Sequence, residues 1–272
     1  MVRRGLAPSR ERAQAEIAAG RVLVAGSVAD KPARLVAVGE PIRLVGPPPR
    51  FVGRGGEKLE GALDRFDVAV AGRRWLDAGA STGGFTDCLL QRGAAAVVAV
   101  DVGHGQLHER IRADERVDVR ERTNVRFLTA DEIGGQVDGV VADLSFISLA
   151  TVLPALVGAS REGADLVVLV KPQFEAGRAE AARGRGVIRD PDVWRRVLTE
   201  VSTAAAAAGA AMMSAMVSPL TGADGNVEFF LHCQVSGPGA RDRDAVDTAA
   251  RSAINAAIDA AVTDASTTHG AG

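Results

Sequence analysis

From Arg74 to Val235 of this 272-residue chain, short apolar runs alternate with segments of helical periodicity. The runs predict strands at 75–78, 95–100, 117–120, 137–142, 165–170, 211–217 and 227–233. Helices are predicted between most of them, at 85–91, 105–113, 149–159 and 191–208. Such alternation is typical of a mostly parallel sheet wrapped by helices. A Gly/Pro-rich stretch joins the last two strands and predicts a hairpin, which makes the last strand antiparallel. We therefore expect an α/β, Rossmann-like fold with a mostly parallel seven-stranded sheet.

A smaller α+β module precedes this pattern. Residues 8–20 predict a helix that Ser9 caps and Gly20 ends, and short strands follow at 21–25 and 37–44. The proline-rich stretch after them predicts a stiff linker. We expect a first domain at 1–46, a linker at 47–57, an α/β domain at 58–236 and a weakly structured or disordered tail at 237–272.

Charge is distributed unevenly along the chain. Residues 1–59 hold 11 Lys or Arg and five Asp or Glu, whereas the remaining residues hold 21 and 29. A basic module on an acidic body favours docking to a polyanion, although a solvated basic surface has the same composition. The candidate docking residues are Arg3, Arg4, Arg10, Arg12 and Lys31.

Several classes of protein are disfavoured by what the sequence lacks. The two cysteines, Cys88 and Cys233, form no CxxC pair, so we expect neither a disulfide framework nor a zinc site. His104 and His108 have an i,i+4 spacing without a third ligand, and we expect no metal. No run of about 18 apolar residues indicates a membrane span. We expect a cytoplasmic monomer.

The loop after the first strand of the α/β pattern, Leu76-Asp-Ala-Gly-Ala-Ser-Thr-Gly-Gly-Phe-Thr86, is rich in glycine and opens a helix. Such a loop can cradle a nucleotide-like cofactor, including NAD or a flavin. Asp77 precedes the glycines and suits the ammonium of a methionine group better than a pyrophosphate. Asp101 ends the next strand, where it can accept hydrogen bonds from adenosine ribose hydroxyls. The pattern favours S-adenosylmethionine over NAD as the cofactor. Alternatively, Asp77 and Asp101 bind no ligand and only cap the ends of their strands. The candidate cofactor-binding residues are Asp77, Gly79, Ser81, Gly83, Gly84, Phe85 and Asp101.

Ionisable residues also occur at or beside the ends of later strands. Asp143 and Lys171 each close an apolar run, and Glu228 lies in the last strand. Lys58 precedes the first strand of the sheet. Charged groups in apolar segments are costly to bury unless they are paired, so either structural salt bridges or a shared catalytic cleft explains them. The chain has only three lysines against 29 arginines, which hints that the retained lysines must be able to lose a proton.

This set of residues suits methyl transfer to a ribose oxygen. A ribose hydroxyl is a poor nucleophile at neutral pH, so a base assists its attack on the methyl carbon. A lysine can act as that base only in its neutral form, which a second nearby cation and partial burial favour.

Four segments resemble the hemolysin A (TlyA) family of ribosomal RNA methyltransferases: Asp77–Phe85, Ala142–Leu149, Val170–Glu175 and Gly225–Glu228. That family resembles the RrmJ/FtsJ ribose methyltransferases in a Lys-Asp-Lys-Glu tetrad, which matches Lys58, Asp143, Lys171 and Glu228 here. The resemblance implies a class I methyltransferase fold and 2′-O-methylation of cytidine in 23S ribosomal RNA and, in some members of the family, also in 16S ribosomal RNA. It implies Lys171 as the base, the other three as orienting residues, and Asn124 as a further cofactor-binding residue.

The first module resembles an S4-like RNA-binding domain in Ser9–Gln14 and Gly20–Val24. The Arg-Leu-Asp segment with which such domains usually begin is missing, so we expect either a start upstream of Met1 or a truncated module. Phe174, beside Lys171, is a candidate for stacking on a base, with core packing as the alternative. Two other functions stay open: a catalytically idle RNA-binding protein, and a membrane-active hemolysin, for which we see no amphipathic or membrane-spanning segment.

Overall fold

The computed structural model describes residues 1–7, 10–47, 49–177, 180, 186–222, 224–237 and 248–269. The chain divides into two compact units, Met1–Arg50 and Phe51–Gly272. The first unit has one hydrophobic cluster and the second unit has two. The functional boundaries expected from the sequence, with a linker at 47–57, stay a prediction.

The first unit is a small α+β module. It consists of a 3₁₀ turn at Val2–Arg4, helix α1 (Arg10–Ala18) and strands β1 (Val22–Val24), β2 (Ser27–Val28) and β3 (Ile42–Leu44). The strands form an antiparallel sheet in the order β2-β1-β3. Val22, Val24 and Ala29 make its small core. Ser9, the predicted N-cap of the helix, lies outside the described residues.

The second unit alternates strands and helices as predicted. Its strands are β4 (Arg74–Ala78), β5 (Ala96–Val100), β6 (Val117–Arg120), β7 (Val137–Ala142), β8 (Ser160–Val170), β9 (Ala210–Val217) and β10 (Phe229–Val235). Its helices are α2 (Gly55–Phe66), α3 (Gly84–Gln91), α4 (Glu109–Arg112), α5 (Leu149–Gly158), α6 (Pro172–Glu175), α7 (Pro191–Ala208) and α8 (Thr248–His269), with 3₁₀ turns at Val125–Phe127 and Asp131–Ile133.

The seven strands of this unit form one sheet in the order β6-β5-β4-β7-β8-β10-β9. The first five are parallel, and β10 runs antiparallel to both β8 and β9. The predicted α/β fold with an antiparallel last strand is therefore confirmed. The strand order reverses between β4 and β7, and open α/β sheets bind ligands at the carboxyl ends of the strands at such a point.

Both faces of the sheet are covered because side chains alternate along each strand. Leu76 belongs to the cluster on the face covered by α5, α7 and α8, whereas its neighbour Trp75 belongs to the cluster on the face covered by α2 and α3. Both side chains are fully buried. This sandwich fixes the strands and so fixes the loops that leave their carboxyl ends.

Helix α2 begins inside the segment expected to be a linker. Its first two residues, Gly55 and Gly56, are weak helix formers, but Leu59, Ala62 and Leu63 then follow at helical spacing and are buried. Burial of this apolar stripe outweighs the weak helix propensity of two glycines in the first turn. Lys58 consequently lies on a packed helix.

The described part of the predicted tail, residues 237 and 248–269, is more ordered than expected. Residues Thr248–His269 form α8, whose Ile258, Ala261, Val262 and Ala265 are at most 2% exposed. Their spacing places them on one helix face, which packs on β9 and α7. None of the helices in the described ranges combines the length and apolar character that crossing a bilayer requires.

Candidate active site

Asp77 is a fully buried carboxylate near the carboxyl end of β4. The hydroxyl of Thr86, on the first turn of α3, donates to its Oδ2 at 2.6 Å. Within the described part of the chain its Oδ1 has no hydrogen-bond partner. Burial raises the pKa of Asp77 to about 7, and the Thr86 hydrogen bond only partly offsets this. An unpaired buried carboxylate oxygen of this kind is suited to accept a cationic donor.

The glycine loop brings the backbone of β4 against that of β7. Gly79 has φ 89°, and a Cβ there would collide with the backbone oxygen of Asp143. Only glycine meets both demands without strain. The loop therefore places Asp143 directly beside the predicted cofactor site. Gly83, Gly84 and Phe85 continue the loop into α3, with Gly83 as its N-terminal flanking residue.

Asp101 follows β5 and is held by the backbone. Its Oδ2 accepts from the Ser81 amide at 2.8 Å and its Oδ1 from the Gly103 amide at 2.6 Å. Both carboxylate oxygens retain lone pairs, so the group is oriented and can still accept from a ligand. Asp101 lines a crevice together with Ala80, Gln106, Leu107 and Glu121.

Glu121 and Asn124 follow β6, the strand next to β5 in the sheet. Hydrogen bonds from His104 and from the Gly105 amide, assisted by Arg112, hold the pKa of Glu121 at about 2. Asn124 is exposed, and its carboxamide oxygen caps a 3₁₀ turn by accepting from the Arg126 amide at 3.0 Å. The crevice lining does not include Asn124. Its cofactor-binding role stays a prediction.

Lys171 and Asp143 form an ion pair at the carboxyl ends of β8 and β7. Lys171 Nζ lies 2.5 Å from Asp143 Oδ1, and it donates to the hydroxyl of Ser145 at 3.0 Å. The Lys171 side chain is 11% exposed. The amide of Asp143 donates to the carbonyl of Ala78 at 3.0 Å, which continues the β4–β7 pairing.

Lys58 and Glu228 form a second ion pair at the same edge of the sheet. Lys58 Nζ, on α2, lies 2.5 Å from Glu228 Oε2, and both residues are buried. Phe229 of β10 is paired with Val170 of β8, so Glu228 and Lys171 leave adjacent strands next to each other. The structure thus brings together four residues that are distant in sequence. They form two ion pairs at the end of the sheet where the parallel strands have their carboxyl ends.

The segment that enters α2 is a feature that the sequence reasoning missed. A Cβ at Gly53 would lie 2.7 Å from the Thr82 hydroxyl, and one at Gly84 would lie 3.1 Å from the Gly56 amide nitrogen. Asp87 of α3 also accepts from the Val52 amide at 2.8 Å. The glycines around Arg54 therefore let this segment pack on the cofactor loop. Their spacing was the available indication, but a glycine-rich stretch after prolines looks like a linker.

Asn226 is a second residue that was quoted within a motif without a role. Its side chain is buried, accepts from the Ile188 amide at 3.0 Å and donates to the Gly186 carbonyl at 2.8 Å. Its own carbonyl accepts from the Gly222 amide at 2.8 Å. Two residues before Glu228, Asn226 thus ties the segment before α7 to the β9–β10 connection.

The candidate docking residues of the first unit differ in their surroundings. Arg3, Arg10 and Lys31 are exposed, and the side chain of Arg12 lies outside the described residues. Arg4 donates to the backbone carbonyls of Ala37, Val38 and Glu40 and so holds the loop before β3. That internal contact was not predicted.

The strand order, the single antiparallel strand and the glycine loop at the switch point define an α/β methyltransferase. Comparison with known proteins sharpens this class. The model of the FtsJ-like methyltransferase family matches residues 51–235, and the model of the S4 domain matches residues 1–42. The chain belongs to the hemolysin A (TlyA) family of FtsJ-like methyltransferases, as its sequence motifs predicted.

Individual relatives support this assignment. The 16S/23S rRNA (cytidine-2′-O)-methyltransferase TlyA of Mycobacterium tuberculosis is 55% identical over 85% of this chain and 86% of its own length. Hemolysin A of Brachyspira hyodysenteriae is 38% identical over 84% of this chain and 95% of its own. A solved structure of a candidate hemolysin from Streptococcus thermophilus is 37% identical, covers 95% of this chain and 92% of its own, and superposes with a TM-score of 0.76.

Proposed function

We propose that this protein transfers a methyl group from S-adenosylmethionine to the 2′-hydroxyl of cytidine in ribosomal RNA, in 23S and also in 16S RNA of cytoplasmic ribosomal subunits. The observation that carries the proposal is the presence of two ion pairs, Lys171–Asp143 and Lys58–Glu228, beside the glycine loop. Relatives of 55% identity whose names specify this reaction support it.

The residues around the glycine loop fit the cofactor. Oδ1 of Asp77 supplies a buried acceptor for the amino-acid ammonium, and the oriented carboxylate of Asp101 supplies acceptors for ribose hydroxyls. When bound, S-adenosylmethionine supplies an electrophilic methyl group on a sulfonium. The glycines would let the cofactor approach the backbone of the loop closely.

Lys171 would accept the proton of the ribose 2′-hydroxyl as its oxygen attacks the methyl carbon. For this step the Nζ must be neutral, and it must leave the ion pair with Asp143 or give its proton away there. Lys58, Asp143 and Glu228 would orient the hydroxyl, since the two carboxylates lie at strand ends and Lys58 lies on the packed helix α2. Orientation of the two reacting atoms would supply much of the remaining acceleration.

The first unit would dock the enzyme on RNA. Exposed Arg10 begins α1, and Arg12 follows within one helical turn. Replacing both with alanine should weaken RNA binding and lower the slope of log K against log salt by about 1–2, because each phosphate contact contributes about 0.7–0.9. Filter binding at several salt concentrations measures this. An unchanged slope would remove these two arginines from the docking surface.

A labelling experiment tests the function directly. Full-length protein is incubated with tritiated S-adenosylmethionine and with unmodified 30S and 50S subunits, and the labelled nucleotide is mapped. We expect label on a cytidine ribose. Folded protein that binds subunits but transfers no label would instead be the catalytically idle alternative. Calorimetry with S-adenosylhomocysteine and with NAD separates the methyltransferase from an oxidoreductase.

A further inference from the structure

Glu175 joins the two loops that carry Lys171 and Asp143. It ends α6, the single helical turn that begins directly after Lys171. Its Oε2 accepts from the Ser148 hydroxyl at 2.6 Å, and its Oε1 accepts from the Leu149 amide at 2.8 Å. Ser148 is the N-cap of α5 and Leu149 its first residue. The carboxylate of Glu175, in the turn that follows Lys171, is therefore bound at the N-terminus of α5, the helix that follows the Asp143 loop.

This contact is the last of a series between the same two loops. Lys171 contacts Asp143 and Ser145, and the ring of Phe174 lies 5.0 Å from that of Phe146, centroid to centroid. Asp143 is fixed at its own end by the β4–β7 pairing. The loop from Asp143 to Leu149 is thus held at its start by the sheet and at its end by Glu175. Between these two anchors lies Ser145, whose hydroxyl accepts from Lys171.

The loop between the two anchors contains a strained residue. Phe146 has φ 64° and is 91% exposed, so its backbone conformation is unfavourable and its side chain is not held in a core. Glu175 is half-buried, and burial raises its pKa although the Ser148 and Leu149 hydrogen bonds oppose this. A carboxylate is retained here at a desolvation cost, at a helix N-terminus that favours negative charge.

We propose that Glu175 is a positioning residue for methyl transfer: it holds the 143–149 loop against the 171–175 turn, so that Asp143 and Ser145 keep Lys171 Nζ in place. The proposal rests on the proposed function, in which Lys171 receives the ribose proton. The two hydrogen bonds of the Glu175 carboxylate go to Ser148 and Leu149 and not to Lys171 or to a predicted cofactor-binding residue. The effect of Glu175 must therefore pass through loop geometry.

Three variants test this role: Glu175→Ala removes both hydrogen bonds, Glu175→Gln keeps an oxygen that accepts from Leu149, and Glu115→Gln changes an exposed carboxylate as a control. We expect Glu175→Ala to lower kcat by about 10–100-fold with KM for S-adenosylmethionine within about threefold, as misplacement of a reacting group does. Glu175→Gln should recover most of kcat. Hydrogen exchange should show faster exchange of the 145–149 amides in Glu175→Ala only.

The outcomes are separable. The positioning role would be overturned by an unchanged kcat in Glu175→Ala, or by an equal loss of kcat in the alanine and glutamine variants. In either case methyl transfer by the wild-type protein would still support the proposed function. If Glu175→Ala does not fold, Ser148→Ala removes the donor to Oε2 and should give a smaller loss of kcat with the same faster exchange. Wild-type protein that transfers no label to subunits would defeat the proposed function first, and the positioning role with it.

Discussion

A fully buried aspartate and a half-buried one in the same sheet show how a functional carboxylate differs from a structural one. Asp77, in β4, has one hydrogen-bonded oxygen and one without a partner among the described residues, and burial raises its pKa to about 7. Asp165, in β8, has both oxygens occupied: His232 Nε2 lies 2.9 Å from Oδ1, and Arg73 Nη1 lies 2.7 Å from Oδ2. Burial alone would raise the pKa of Asp165, but those hydrogen bonds hold it below its usual value.

The difference follows from where each residue lies. Asp165 is paired with Gly139 toward the amino ends of the parallel strands, and Arg73 directly precedes β4. There the carboxylate is part of the structure that holds β4, β8 and β10 together. Asp77 lies where the strands end and ligands bind. At the amino ends of the strands, the hydrogen-bonded carboxylate of Asp165 stabilises the sheet. At their carboxyl ends, the carboxylate of Asp77 has an oxygen available to accept a hydrogen bond from a cation.

The largest expected effect tests whether the residues at the carboxyl ends of the strands are catalytic. Lys171→Ala and Lys171→Arg should both lower methyl transfer by about 10²–10⁴-fold, because a general base contributes that much and arginine keeps the charge without losing a proton. Affinity for S-adenosylhomocysteine should stay within a few-fold. Substantial activity in Lys171→Arg would show that the cation acts by charge alone, and that Lys171 is not the base.

The next effect separates the two aspartates by ligand affinity. Asp77→Asn should weaken binding of S-adenosylhomocysteine by about 10–100-fold, because it removes a charge-assisted hydrogen bond. In the wild type, affinity should rise as pH increases through about 7, since the ammonium binds the deprotonated carboxylate. Calorimetry between pH 6 and pH 8 measures both, and Asp77→Asn should show a flat profile. A wild-type affinity independent of pH would argue against Asp77 as the ammonium acceptor.

The same variant has an opposite effect on the cofactor-free protein. A carboxyl whose folded pKa is raised binds its proton more tightly in the folded state, so the stability of the fold falls as pH rises from about 4 to about 7 and stays low above that. Asp77→Asn should therefore raise stability at pH 8 by on the order of 2–4 kcal/mol, with a smaller gain at pH 5. Thermal unfolding of the free protein at the two pH values checks this trade between stability and binding.

The smallest effect concerns the amino end. Asp165→Asn should cost about 1–2 kcal/mol at pH 7, because it leaves Arg73 and His232 without their carboxylate at a half-buried position. A carboxyl with a lowered folded pKa stabilises the fold above its unfolded pKa, and this is lost as pH falls below about 4. Denaturant unfolding of the variant and the wild type should therefore converge in acid. Loss of cofactor affinity in Asp165→Asn would mean that the two ends are not independent.

Most strands and helices of the second unit were predictable because their patterns are local. The run Val137–Ala142 and the helix from Leu149 were both found within a residue or two of the prediction. Helix α2 was missed because its two initial glycines follow a proline-rich stretch. Helix α8 was underestimated because alanine-rich segments gain little until Ile258 and Val262 are buried against a partner.

The order of residues in the chain determined the alternation of strands and helices, the glycine loop, and the residue types able to hold a cofactor and move a proton. Only the tertiary structure decided which lysine pairs with which carboxylate, that Oδ1 of Asp77 lacks a partner among the described residues, and that Glu175 joins two loops. Periodicity and turn chemistry are properties of neighbouring residues. Ion pairing and desolvation depend on groups that meet only when distant strands are aligned in one sheet.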